Sequence, residues 1–184
     1  KSTEDAIEAW NRIAPEMRAK HFIAPNVPAE CIQIQSFSFV SANLMHGTNN
    51  YITRLSSDDF MESYRYHKKV LQLLQLKTGN KRWLLKAPSH LSNIPELLKI
   101  YPDAKIVFIH RDPTKALAST ASAMATIHKI YGVPFDQDRY FKHYNNVMQE
   151  QLARFRILHK ELAIGGGIID VRYQDVVSVP IDTI

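Results

Sequence analysis

The sequence predicts an α/β fold with a mainly parallel sheet, and three observations carry that expectation. Three short apolar runs have strand length: RWLLK at residues 82–86, KIVFIH at 105–110 and IIDVRY at 168–173. Helical patterns separate them, so successive strands are joined by crossovers rather than hairpins. The run KIVFIH is almost continuously apolar, which predicts a strand buried on both faces.

Composition bounds the rest. The 184 residues suffice for a single domain with its own core, and 45% hydrophobic with 22% charged residues is an ordinary globular mix. No run approaches the roughly 20 apolar residues of a membrane span. Cys31 is the single cysteine, so no intrachain disulfide forms, and a buried thiol is its expected state. With no Asn-x-Ser/Thr sequon, the expected location is the cytoplasm. A net charge of +5 favours an anionic ligand. Nucleic acid is a poor fit, because no Lys/Arg cluster is interleaved with aromatics. Both ends read as cuts through a longer protein.

Taken in order, residues 1–20 carry Ile7, Trp10, Ile13 and Met17 at helical spacing, with Pro15 expected to kink or end the first piece. CIQIQSFSFV at 31–40 reads equally as an edge strand or a helical cluster. The clearest helix is SSDDFMESYRYHKKVLQLLQLK. Ser57 is its expected cap, Asp58 and Asp59 suit the positive end of its dipole, and Phe60, Tyr64, Leu71 and Leu74 share a face. Gly79 ends it. After RWLLK comes a small helix with Pro95 in its first turn and Leu97 and Leu98 inward. Asp112-Pro113 caps a helix from Thr114 to about Tyr131, and another runs roughly over residues 138–162.

The segment IVFIHRDPTKALAS contains HRD, the triplet of the protein-kinase catalytic loop. That loop needs an Asn five residues after the Asp, where this chain has Leu117, and neither DFG nor GxGxxG occurs. GGG at 165–167 lacks the GK[ST] of a phosphate-binding loop. The kinase reading therefore fails. An anion remains plausible on physical grounds, because a strand ends at Arg111 and a helix start should offer free amides and a positive dipole end. Arg111 adds a forked donor. Ser119 lies eight residues further on, and with Lys115 and Ser122 it forms a polar face opposite Leu117, Ala121 and Met124. The plain alternative is an arginine paired with Asp112 and a solvent-facing serine.

Three separated motifs carry a family resemblance: YRYHKKVLQLLQ, RWLLKAPSHLSNIPELLKIYPDAKIVFIHRDP and VRYQDVVSVP. In this order they resemble sulfotransferases that use 3′-phosphoadenosine 5′-phosphosulfate (PAPS), closest to the bacterial-type branch. The resemblance implies a three-layer, P-loop-kinase-like sulfotransferase fold, incomplete at the N-terminus. It implies transfer of a sulfuryl group from PAPS to a small-molecule hydroxyl (or amine) acceptor, with no metal, no nucleic acid and no membrane span; a homodimer stays open. In this family pattern Arg111 and Ser119 bind the donor's 3′-phosphate, and Tyr173 lies near the adenine, followed by Asp175. In KAPSH, Lys86 assists the transferring group, His90 is the base and Ser89 is a weaker donor contact. The cytosolic branch has its His two residues after the Lys, whereas His90 follows Lys86 by four, so an orienting role for His90 stays open. The loop that grips the 5′-phosphosulfate is expected N-terminal to Lys1, and a further donor loop beyond Ile184. The alternative function is a non-catalytic module that binds adenosine phosphates or pairs with another chain. Phe37, Phe39 and Tyr51 are expected in core packing, with an apolar acceptor pocket as their other use.

Overall fold

The computed structural model describes residues 2–13, 15–20, 23–40, 55–79 and 82–179. Its elements are α1 (Thr3–Ile13), α2 (Pro15–Lys20), α3 (Cys31–Ser36), α4 (Ser57–Thr78), a 3-10 turn (Pro88–Asn93), α5 (Ile94–Ile100), β1 (Ile106–His110), α6 (Pro113–Ile130), α7 (Gln137–Ile164), β2 (Ile168–Arg172) and α8 (Tyr173–Ser178). Among the described residues the sheet has two strands, with β1 parallel to β2 and Ile106 opposite Ile168 through His110 opposite Arg172. The class is thus α/β, mostly helical with a small parallel sheet. By internal contacts the chain forms two compact units, one of Lys1–Asn26 with Lys105–Ile184 and one of Val27–Ala104.

The unit of Val27–Ala104 is helical. Helix α4 begins with a capping box: the Ser56 hydroxyl accepts from the Asp59 amide at 3.3 Å, and the Asp59 carboxylate accepts from the Ser56 amide at 2.8 Å. The cap is Ser56 rather than Ser57, whose hydroxyl instead donates to Glu96 at 2.6 Å. Gly79 ends the helix at φ 73°, a left-handed conformation that glycine adopts without strain. Tyr64, His67 and Leu71 face inward onto α5 and α3, but Leu74 is half-exposed, so the inward stripe is shorter than expected. In α5, Ile94 and Leu97 are buried and Leu98 is half-buried.

In this unit one open alternative is resolved, and the expectations for Phe37 and Phe39 and for RWLLK are corrected. CIQIQS is helical, and the hydroxyls of Ser36 and Ser38 donate back to the carbonyls of Ile32 and Gln35, closing it into a turn. Phe37 and Phe39 are exposed beyond it, so they are not core; Tyr51 lies outside the described residues. RWLLK is extended but unpaired, with Leu84 94% exposed. A strand needs a hydrogen-bonding neighbour, and none pairs with it among the described residues.

The other unit holds the sheet. Phe108 packs on Phe155 of α7 with ring centres 4.3 Å apart, so α7 covers one sheet face. On the opposite face Val107 and Ile109 are 39% and 48% exposed, so β1 is not buried on both sides. Helix α6 presents Ala121, Leu117 and Met124 inward and Lys115, Ser119 and Ser122 outward, as its periodicity predicts. The triple glycine closes the α7–β2 turn: Gly166, at φ 63°, gives its carbonyl to Lys105 Nζ at 3.1 Å.

Candidate active site

Within the sheet-containing unit, β1 ends at His110, Arg111 follows, and Asp112 caps α6. The Asp112 carboxylate accepts from the amides of Thr114 at 2.8 Å and Lys115 at 3.4 Å. These bonds hold its pKa below the usual carboxylate range. Pro113 has no N–H, and the Ala116 amide donates to the Asp112 carbonyl. The helix start is therefore already satisfied and carries a negative group, so the free amides expected for an anion are not there. What is free is Arg111. Asp112 being engaged elsewhere, the guanidinium meets no carboxylate among the described residues and lies over the Tyr173 ring, 4.6 Å from its centre. Stacking leaves the N–H edges of a guanidinium open to acceptors.

Tyr173 opens α8 directly after β2 and is half-exposed, so the strand ends at Arg172 and does not run through Tyr173. Arg111 and Tyr173 are thus brought together. Ser119 lies on the exposed face of α6, with no hydrogen bond joining it to Arg111. His110 does more than extend the strand: its Nε2 meets Asp170 Oδ1 at 2.6 Å, and His159 Nε2 meets Asp170 Oδ2 at 2.8 Å. The two imidazoles lower the Asp170 pKa, chiefly through the bond from His110. This bridge fixes the parallel strand ends just before Arg111 and Tyr173.

Lys86, Ser89 and His90 belong to the other unit. The Lys86 carbonyl accepts from the Cys31 amide at 2.9 Å, which pins KAPSH to the start of α3. The Lys86 ammonium forms an ion pair with Glu30. Ser89 Oγ donates to Gln35 Oε1 at 3.2 Å, and Asn93 Nδ2 donates to the Ser89 carbonyl at 2.9 Å. Pro88 starts the 3-10 turn that carries His90 inward.

His90 Nδ1 lies 2.9 Å from Tyr64 Oη, and His67 Nδ1 lies 2.7 Å from Tyr101 Oη. Tyr64 is 0% and His67 1% exposed. Each imidazole leaves its Nε2 buried without a hydrogen-bond partner among the described residues. Burial pulls the His90 pKa down to about 4, with repulsion from His67 adding to it, and burial alone pulls His67 to about 4. Both rings are neutral near pH 7. The same burial raises the Tyr64 and Tyr101 hydroxyls, so these stay protonated. The structure thus gives His90 a defined Nδ1 partner and a free Nε2. Sequence reasoning missed Tyr64, Gln35 and Tyr101; the available signal was Tyr64 and His67 at i, i+3 on the buried face of α4.

The sheet-containing unit thus presents a guanidinium on an aromatic platform, with no carboxylate partner among the described residues, and the helical unit holds a buried neutral imidazole. A sulfotransferase family model matches residues 1–184. The chain belongs to the sulfotransferase family. No curated protein and no solved structure matches this sulfotransferase. No cluster of His, Cys, Asp or Glu able to hold a metal ion occurs among the described residues, and none of their helices is long and apolar enough to cross a membrane.

Proposed function

We propose that this sulfotransferase takes its sulfuryl group from PAPS and passes it to the hydroxyl (or amine) of a small molecule. The observation that carries the donor assignment is Arg111, a cation without a carboxylate partner among the described residues, stacked on Tyr173. A phosphate and an adenine ring are the two groups that such a pair suits, the fork for the anion and the aromatic face for the base. On this reading Arg111 and Ser119 hold the 3′-phosphate, and Tyr173 lies beside the adenine. Lys86 exchanges its Glu30 partner for the sulfuryl oxygens, with Ser89 as a further donor contact.

The reaction is an in-line displacement. The acceptor oxygen bonds to sulfur, the bond from sulfur to the bridging phosphate oxygen breaks, and 3′-phosphoadenosine 5′-phosphate leaves. The acceptor proton passes to His90 Nε2. A pKa of about 4 keeps the ring neutral near pH 7, as a base requires. Negative charge bound alongside raises its basicity toward the range a general base requires.

A second reading, an adenosine-phosphate-binding module without transfer chemistry, draws support from the Lys86–Glu30 ion pair, which occupies the ammonium. Calorimetry with 3′-phosphoadenosine 5′-phosphate and a radiolabelled PAPS transfer screen over phenols, sterols, lipids and sugars separate the two, using the full-length protein. The expected result is binding plus transfer to one acceptor class. Binding without transfer favours the module, and absence of binding overturns both.

A further inference from the structure

The hydrogen bonds around Asp170 close a ring of five side chains on the sheet face that α7 covers. His110 Nε2 meets Asp170 Oδ1 at 2.6 Å, and His159 Nε2 meets Oδ2 at 2.8 Å and Oδ1 at 3.0 Å. His110 and Phe108 are edge-to-face, with ring centres 4.7 Å apart and planes at 87°. Phe108 packs on Phe155 at 4.3 Å, and Phe155 and His159 are again edge-to-face at 5.5 Å. Two of these residues come from β1, two from α7 and one from β2, so the ring ties both strands to the helix. An ionised carboxylate only accepts, so each Nε2 carries the proton of its bond.

The ring sits where register decides what the strand ends present. A sheet of two five-residue strands is marginal on its backbone bonds alone. His110 stands opposite Arg172, so one step further brings Arg111 opposite Tyr173. The 4.6 Å stack of guanidinium on ring is therefore a continuation of the strand register. A slip of one residue turns every side chain to the other face and sets Arg111 opposite Arg172 or Gln174. The same slip carries Asp170 away from His110. The three polar side chains are partly exposed, so their bonds add little to stability, and losing them should leave the fold standing.

We propose that His110, Asp170 and His159 are positioning residues for the donor site, which lock the register that sets Arg111 on Tyr173 without themselves contacting the nucleotide. The proposal rests on the reading of Arg111 and Tyr173 as the place of the 3′-phosphate and the adenine. Asp170→Asn keeps the shape but leaves one carbonyl acceptor for two imidazoles. In the full-length protein it should weaken 3′-phosphoadenosine 5′-phosphate by roughly 2–30-fold in calorimetry, the range for residues that act through others. Urea unfolding should stay close to the parent. His110→Ala should lose affinity likewise, whereas His110→Gln, whose amide still donates to Asp170, should keep most of it.

Two further readouts separate positioning from bracing. With PAPS and an acceptor found in the screen, Asp170→Asn should raise KM for PAPS and leave kcat at saturation unchanged. In an Arg111→Ala background, Asp170→Asn should cost less affinity than in the parent, because the group it positions is gone. An equal cost in both backgrounds, a fall in kcat with KM for PAPS intact, or lost stability with affinity kept overturns the positioning role. So does unchanged affinity in both Asp170→Asn and His110→Ala. Absence of nucleotide binding to the parent overturns the donor reading itself, and the positioning role with it.

Discussion

The Arg111 region and the His90 region treat charge in opposite ways. Arg111 is exposed, stacked on a half-exposed ring and free of counter-charge among the described residues. His90 is enclosed beside Tyr64, with one nitrogen left without a partner among the described residues. An anion site must admit its ligand and keep its cation available, so openness serves it. A base must be neutral until it acts, and burial secures that by penalising the protonated form. On the proposed function, the chain meets the two demands with a strand end in one unit and a helix–turn cluster in the other.

The largest effect that would break this contrast is on turnover. His90→Gln keeps a hydrogen-bonding side chain but loses the titratable nitrogen, and kcat should fall by about 10²–10⁴-fold in PAPS transfer, with affinity for 3′-phosphoadenosine 5′-phosphate little changed. An equal fall in nucleotide affinity would mean that His90 belongs to the donor-binding side.

Next comes the pH dependence of stability, which arises from the enclosed region. His67 and His90 have folded-state pKa values of about 4, below their ordinary 6.5. As pH falls below 6.5, the unfolded chain binds protons that the folded chain refuses, so the folded state is destabilised. Stability is therefore complete above pH 6.5 and declines toward pH 4, by about 1.4 kcal/mol per pH unit for each imidazole. Urea unfolding across this window should show that slope, and His67→Gln, which removes one titrating ring, should roughly halve it. A flat profile would show that the rings are solvated.

Smaller again is the loss at the open site. Arg111→Ala should weaken 3′-phosphoadenosine 5′-phosphate by about 1.5–3 kcal/mol, the contribution of a charged hydrogen bond. Arg111→Lys should recover only part, because an ammonium lacks the fork and stacks poorly. Calorimetry at two salt concentrations checks this, and full recovery by lysine would reduce the site to simple charge attraction.

The open site was more legible in the sequence than the closed one. Arg111, its strand and the helix carrying Ser119 are contiguous, so strand length, the Asp-Pro cap and helical spacing place them without tertiary information. The occupied helix start follows from that same Asp-Pro cap, whose carboxylate takes the Thr114 and Lys115 amides and so leaves them unavailable to an anion. The closed cluster joins Gln35, Tyr64, Ser89 and His90 across long stretches of chain, and local periodicity says only that Tyr64 faces inward. RWLLK failed as a strand for a related reason: its apolar residues and β propensity are real, but a strand is a pairing, and its partner is not written in its own residues.

The smallest effect tests whether the platform under Arg111 matters apart from the arginine. The guanidinium stands 4.6 Å from the Tyr173 ring centre, within the range of a cation–π contact. At an exposed position that contact contributes about 0.5–1 kcal/mol. Tyr173→Phe keeps the ring and should bind 3′-phosphoadenosine 5′-phosphate nearly as well as the parent. Tyr173→Leu removes it and should lose about that amount through Arg111, plus whatever the adenine gains from the ring. A double-mutant cycle with Arg111→Ala separates the two: the part of the Leu effect that vanishes in the Arg111→Ala background is the stack, and the part that persists is adenine contact. If nothing persists, Tyr173 serves only to hold the arginine, and the adenine must be recognised elsewhere.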